Sequence, residues 1–137
     1  MKTHSTNYQS TFIEVAEDCP ANSGQEPPQK GDKKSVANQQ YELLKSNPYK
    51  FTSDDLFFTV FAARNEIGPS ELKSEREKFF SKGQPCFRAS PLTKRYGWGV
   101  HSDENGKVAL YGLETEEYQN FVDNESIKKV KAMKMRR

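Results

Sequence analysis

Residues 85–101, PCFRASPLTKRYGWGVH, crowd Arg88, Ser90, Thr93, Lys94, Arg95, Tyr96, Trp98 and His101 into one short stretch. Three cations beside hydroxyls and glycines suit a phosphate or a carboxylate. Arginine offers a planar two-point fork, and a glycine-bared backbone lets an anion approach closely. His101 adds a group whose unperturbed titration falls near neutral pH. Arg88, Lys94, Arg95, Tyr96 and His101, joined by Tyr111 from the following strand, are the candidate ligand-binding residues. Gly97-Trp98-Gly99 is not a phosphate loop, because no glycine-rich turn there opens directly into a helix. The structural alternative is an exposed basic loop leading into a hairpin, with Trp98 as core.

Other chemistry is weaker. Lys30-Gly31-Asp32-Lys33-Lys34 precedes a helix start, where anions are attracted, but it lacks P-loop spacing. Cys86 beside Arg88 has the setting of a lowered-pKa thiol, against which stands the ordinary role of cysteine as a small buried hydrophobe. His4, His101, Cys19 and Cys86 are the only His and Cys residues and have no metal-ligand spacing. No metal and no cofactor is called for. Glu14, Glu17 and Asp18 lie together at a strand exit, and Asp54-Asp55 is explained by helix capping, so neither pair makes a catalytic dyad from sequence alone.

The elements that must position these residues follow from patterning. Residues 11–17, TFIEVAE, read as a strand. Residues 18–34 hold Pro20, Gly24, Pro27, Pro28 and Gly31 and read as a long loop. A helix over 35–46 starts at Ser35 and stops before Asn47-Pro48; its thin apolar stripe is Val36, Gln40, Leu43 and Leu44. A second helix over 53–66 is capped by Thr52 or Ser53, carries Asp54 and Asp55 in its first turn, and presents Leu56, Phe57, Val60 and Phe61. Gly68-Pro69 stops it. A third helix over 70–82 carries Leu72, Arg76, Phe79 and Phe80. Residues 86–90, CFRAS, read as a short strand.

From Tyr96 the pattern alternates, turns at Asp103-Glu104-Asn105-Gly106, and alternates again through Leu113. A two-residue Asn105-Gly106 turn and a type I turn with a bulge at Gly106 compete. The second gathers Trp98, Val100, Val108 and Leu110 on one face, and a buried face sets register. It pairs His101 with Ala109 and sets Tyr111 across from Gly99, an aromatic over bare backbone, on a side left open. A helix over 115–123 closes the sheet edge. Ile127, Val130 and Met133 extend as a last helical turn or a tail.

The 137 residues carry 21 Lys and Arg against 19 Asp and Glu, a net charge of +2. That balance is too even to argue nucleic-acid binding from bulk charge. It is uneven locally, since residues 114–125 hold five acids without a base and 126–137 hold six bases without an acid. Such a block reads as a solvated tail or as a contact for an acidic partner or nucleic acid. Leu, Ile, Val and Phe supply only 26 residues, so the aromatics, 12% of the chain, carry much of the core. The longest apolar run, 56–63, is far short of the ~20 residues that span a bilayer. Two cysteines cannot staple a chain this long, and MKTHSTNYQS has no secretory h-region, so the expected compartment is the cytoplasm.

The stretches TFIEVAEDCP, KGDKKSVANQQYELL, NPYKFTSDDLFFTVFAARN and FFSKGQPCFRASPLTKRYGWGVHSDENGKVALYG resemble a family of small bacterial proteins of about 140 residues, catalogued only as a domain of unknown function. The resemblance runs from Asn7 to the basic tail and implies a stand-alone single-domain protein. It brings no activity, cofactor or catalytic residue. The expected fold is α+β: a small, mostly antiparallel sheet with helices packed on one face, in one domain over 11–125 between a disordered 1–10 and a basic 126–137. The leading functional expectation is a cytosolic binding module for an anionic small molecule or acidic partner. The alternatives are a nucleic-acid-binding protein using 85–101 and the basic C-terminus, and a small enzyme using Cys86 or His101.

Overall fold

The computed structural model describes residues 3–135. Strand β1 (Thr11–Glu14) comes first, then helices α1 (Val36–Ser46), α2 (Ser53–Arg64) and α3 (Leu72–Phe80), the last entered through a 3₁₀ turn at Pro69–Glu71. A second 3₁₀ turn, Phe87–Ala89, leads into the single-turn helix α4 (Pro91–Lys94). Strands β2 (Trp98–Ser102) and β3 (Val108–Gly112), helix α5 (Glu116–Asp123) and strand β4 (Lys128–Lys131) complete it. The four strands make one sheet in the order β3-β2-β1-β4, antiparallel except for the β1–β4 pair. The fold is α+β, as expected.

Local chemistry accounts for the helix starts. Ser35 caps α1 by accepting from the Asn38 N–H, while Asn38 Oδ1 accepts from the Ser35 N–H, a reciprocal capping box. Thr52 Oγ1 accepts from the Asp55 N–H, and Asp54 and Asp55 set negative charge against the start of α2.

The hairpin takes the bulged register. Val100 faces Leu110, His101 faces Ala109 and Gly99 faces Tyr111. Gly106 sits at φ 80°, where a side chain is strained, and the Asp103 carboxylate accepts from the Asn105 and Lys107 N–H groups at 2.9 Å each. Trp98, Val100, Val108 and Leu110 then join Ile13, Leu44, Leu56, Phe87 and Leu92 in one core between the sheet and the helices. Trp98 is fixed by its indole N–H, which donates to the Gln25 carbonyl at 2.8 Å. The 18–34 loop therefore wraps the core rather than hanging free. A smaller cluster of Phe58, Ala62 and Phe80, with Phe61, Ile67 and Phe79 against it, joins α2 to α3.

Several expectations are corrected. Residues 86–90 form no strand: Ser90 caps α4, accepting from the Leu92 N–H, and Pro91 takes the first helical position, the place its ring suits best. The C-terminal segment is neither helix nor tail over its described part, because Lys128–Lys131 pairs with β1 as an edge strand; Arg136 and Arg137 lie outside the described residues. The N-terminal segment is tied down from His4 onward, whose N–H donates to the Phe80 carbonyl, with buried Thr6 donating to Asp54 and Ser53 and Asn7 Oδ1 accepting from the Asp54 N–H. Helix α5 does not close the edge. Its Tyr118 and Phe121 cover the other face of the sheet, with Phe12 edge-on to Tyr118 at 4.9 Å and stacked on Phe121 at 5.0 Å.

The glycine side of the hairpin is thus roofed, not open. A Cβ on Gly99 would lie 2.5 Å from the Phe12 ring and 2.7 Å from the Tyr118 ring. Gly99→Val is expected to lower unfolding free energy by about 1–3 kcal/mol through overpacking. Gly83→Ala, where a Cβ meets nothing within 4 Å, is expected to stay within about 0.5 kcal/mol of wild type. Urea unfolding midpoints of the two variants check this.

Candidate functional site

Helix α4 sorts its residues by side. Leu92 and Thr93 are fully buried, the Thr93 hydroxyl donating to the Phe87 and Ser90 carbonyls. That anchor leaves Lys94 and Arg95 facing outward, and with Tyr96 they line a cavity of about 470 Å³. Its opposite wall is the start of α1, Ser35, Val36 and Ala37, and Met135 contributes from the C-terminal segment. No carboxylate lines it, the first turn of α1 carries no acid, and neither Lys94 nor Arg95 has an ion-pair partner among the described residues.

The first-turn N–H groups of a helix have no partner within it. Ser35 takes those of Asn38 and Gln39, through its side chain and its carbonyl. The Val36 and Ala37 N–H groups have no hydrogen-bond partner among the described residues, and both residues line the cavity. Two cations, a phenol and the positive end of a helix make a concave surface suited to an anion.

Val36, Ala89 and Pro91 also line a second cavity beside it, about 340 Å³, whose walls include Phe57, Val60, Phe61 and Phe79. Cys86 lies on this cavity with its Sγ 3.5 Å from the Tyr8 hydroxyl.

The sequence candidates do not converge. Lys94, Arg95 and Tyr96 share the first cavity. Arg88 turns toward the edge strand, where its Nε donates to the Lys131 carbonyl at 2.7 Å. His101 and Tyr111 lie across the sheet under α5. There the Tyr49 hydroxyl stands 2.8 Å from both His101 Nδ1 and the Tyr111 hydroxyl. The Phe121 ring stacks on the imidazole at 4.2 Å. Burial pushes the His101 imidazole below its ordinary value, with nearby Asp103 opposing, and burial raises the Tyr49 phenol far above its own. Both are neutral at pH 7, so this trio is a packed polar network. Tyr49 holds it from a left-handed backbone, φ 59°, pinned by its N–H donating to the Val108 carbonyl.

Sequence patterning gave no sign of Tyr49, which follows Pro48 outside any periodic segment. The cavity wall from α1 was partly visible, since Gln40 interrupts an otherwise apolar stripe. Among the described residues no group of three His, Cys, Asp or Glu side chains could hold a metal ion, and no helix is long and apolar enough to cross a membrane.

Residues 3–137 match the model of a family of unknown function, DUF6157, and the chain belongs to that family. No curated protein and no solved structure matches it.

The network has a pH signature. The folded state holds His101 below its unfolded value of about 6.5. Its contribution is therefore complete above the unfolded pKa and is lost as pH falls through 6.5 toward the depressed folded value. Stability is expected to fall between pH 7 and 5, above the range where carboxylates protonate, and His101→Gln is expected to flatten that fall. Tyr49→Phe is expected to cost about 1–3 kcal/mol at pH 7.5, because it leaves two half-buried partners unpaired. Urea unfolding across this pH range reads both; an equal fall in wild type and His101→Gln would contradict the assignment.

Proposed function

We propose that this member of the family is a non-enzymatic binding module for a small anionic ligand, a phosphate or carboxylate. The ligand is held between Lys94 and Arg95 and the start of α1. The observation that carries the reading is a cavity with two cations not paired to any acid among the described residues, a helix N-terminus, and no acid in its lining. Arginine supplies a fork for paired oxygens, lysine a point charge, and the Val36 and Ala37 amides supply directed donors. Tyr96 closes the rim. His101 and Tyr111, on the other side of the sheet, serve stability in this reading, and Arg88 serves the attachment of β4. The protein works as a single domain in the bacterial cytoplasm, with Cys19 and Cys86 as free thiols.

Less supports the nucleic-acid alternative. The basic C-terminal segment spends part of its charge at home, because Glu17 pairs with Lys131 at 3.4 Å and with Lys134 at 3.2 Å. A small enzyme using Cys86 or His101 would rely on one of them without the other, because the sheet lies between the two groups. Cys86 sits with Phe57 and Val60 in the helical layer, whereas His101 faces α5.

Thermal unfolding with inorganic phosphate, pyrophosphate and citrate tests the module. At ten times its dissociation constant a ligand adds about 1.4 kcal/mol, about 5 °C for a chain of this size. The expected result is such a rise in wild type and its loss in Lys94→Ala/Arg95→Ala. Arg88→Ala should lower the midpoint without anion and keep the full increment with it. No rise with any anion, or an increment that survives the double variant, would overturn the proposal.

A further inference from the structure

The α1 stripe places a glutamine where its neighbours on that face are apolar. Gln40 is 5% exposed and lines the 340 Å³ cavity between α1, α2 and residues 84–91. Its Oε1 accepts from the Ser90 hydroxyl at 3.0 Å, and Ser90 is itself 5% exposed and occupied as the α4 cap. The other half of the carboxamide, Nε2, has no hydrogen-bond partner among the described residues. Nor is it sealed away, since no buried side-chain nitrogen or oxygen lacks a partner. The cavity is the space before it.

An amide held by its oxygen, with two N–H donors unspent, offers those donors to whatever fills the cavity, and an occupant that excludes water there must accept from them or leave them unpaired at a cost. The remaining walls are mostly aromatic and aliphatic, chiefly Phe57, Val60, Phe61 and Phe79; Arg64, Asn65 and Gln84 also line the cavity but donate to the Lys34, Phe61 and Phe79 carbonyls, and no carboxylate lines it. The volume lies at the lower end of the range for small-molecule sites, and a mostly apolar lining with a few placed polar groups is their usual composition.

We propose that this cavity binds a ring-sized apolar molecule carrying one hydrogen-bond acceptor, a carbonyl, which accepts from Gln40 Nε2 while the ring lies among the phenylalanines. Ser90 fixes the orientation of the amide and so decides that a donor, not an acceptor, faces the ligand. The site stands on its own observations and does not require the anion site beside it.

Acetophenone and ethylbenzene share a ring and nearly a shape, and differ in the carbonyl. Titrating each into the ¹⁵N-labelled full chain gives both affinity and location. Both probes are expected to shift the amides of Val36, Val60, Phe61 and Ala89. In Gln40→Met the ratio of the two dissociation constants should move about fivefold toward ethylbenzene, the worth of one ordinary hydrogen bond. Val36→Trp, at a position 41% exposed in wild type and so safe for folding, should abolish both by filling the mouth. No shift of these amides by either probe would overturn the proposal. So would a ratio unchanged in Gln40→Met, or binding that survives Val36→Trp. Should Gln40→Met fail to fold, the wild-type titrations and Val36→Trp still decide it. Sedimentation showing concentration-dependent self-association that Val36→Trp removes would put a second copy of the chain in the cavity instead, and would also overturn it.

Discussion

The molecule is organised by β2, which is hydrogen-bonded along both edges and buried on both faces. Trp98, Val100 and Ser102 face the helical layer, while Gly99 and His101 face α5. Because side chains alternate along a strand, a slip of one residue would drive His101 into the apolar core and Val100 out of it. Gly99 is the point of least tolerance, since the Phe12 and Tyr118 rings occupy the space any side chain would need. Above it, burial pushes the Tyr118 phenol up to about 12, so it stays protonated, and its oxygen accepts from the Val15 N–H. That bond ties α5 to the exit of β1. Strand β1 in turn supplies the only sheet pairing for β4 among the described residues.

This division gives the two sides of the sheet different characters. The α5 side is a closed aromatic layer whose polar groups, Tyr49, His101 and Tyr111, satisfy one another. The helical side has concavities where α1, α2 and residues 84–96 meet without filling the space between them. Helix α4 is short because Pro91 starts it and buried Thr93 anchors it, and this turns the Lys94-Arg95 pair toward α1. The basic edge strand fits the same economy. Lys128, Lys129 and Lys131 on an exposed edge discourage pairing with another chain, and Glu17 holds Lys131.

Much of the fold was legible. Ser35 and Thr52 were readable as caps, and the hairpin register followed from requiring Trp98, Val100, Val108 and Leu110 to share a face. What failed had a common cause, which is that partners distant in sequence decide short segments. Residues 86–90 lack helical period because a 3₁₀ turn is too short to show one, and so they read as a short strand. Ile127, Val130 and Met133 fall at helical spacing, yet the unpaired edge of β1 captures the segment as a strand. The helix over 115–123 was visible, but not that it would cover a face of the sheet rather than its edge. The candidate cluster 85–101 dispersed for the same reason: seventeen consecutive residues cross a turn, a helix and a strand, so their side chains point three ways. Lys94, Arg95 and Tyr96 stayed together because they are adjacent at one helix end. Gln40 and Tyr49 needed tertiary contacts to acquire meaning.

The proposed anion enters between α4 and α1 and leaves the other side of the sheet untouched. A phosphate titration followed by ¹H–¹⁵N correlation spectra, at constant ionic strength, tests it most directly. Saturable shifts of the Val36, Ala37, Lys94 and Arg95 amides are expected, with the His101 imidazole and the Gly99 and Tyr111 amides unmoved. Saturable shifts centred on His101 and Tyr111, or no saturable shift at the start of α1, would contradict it.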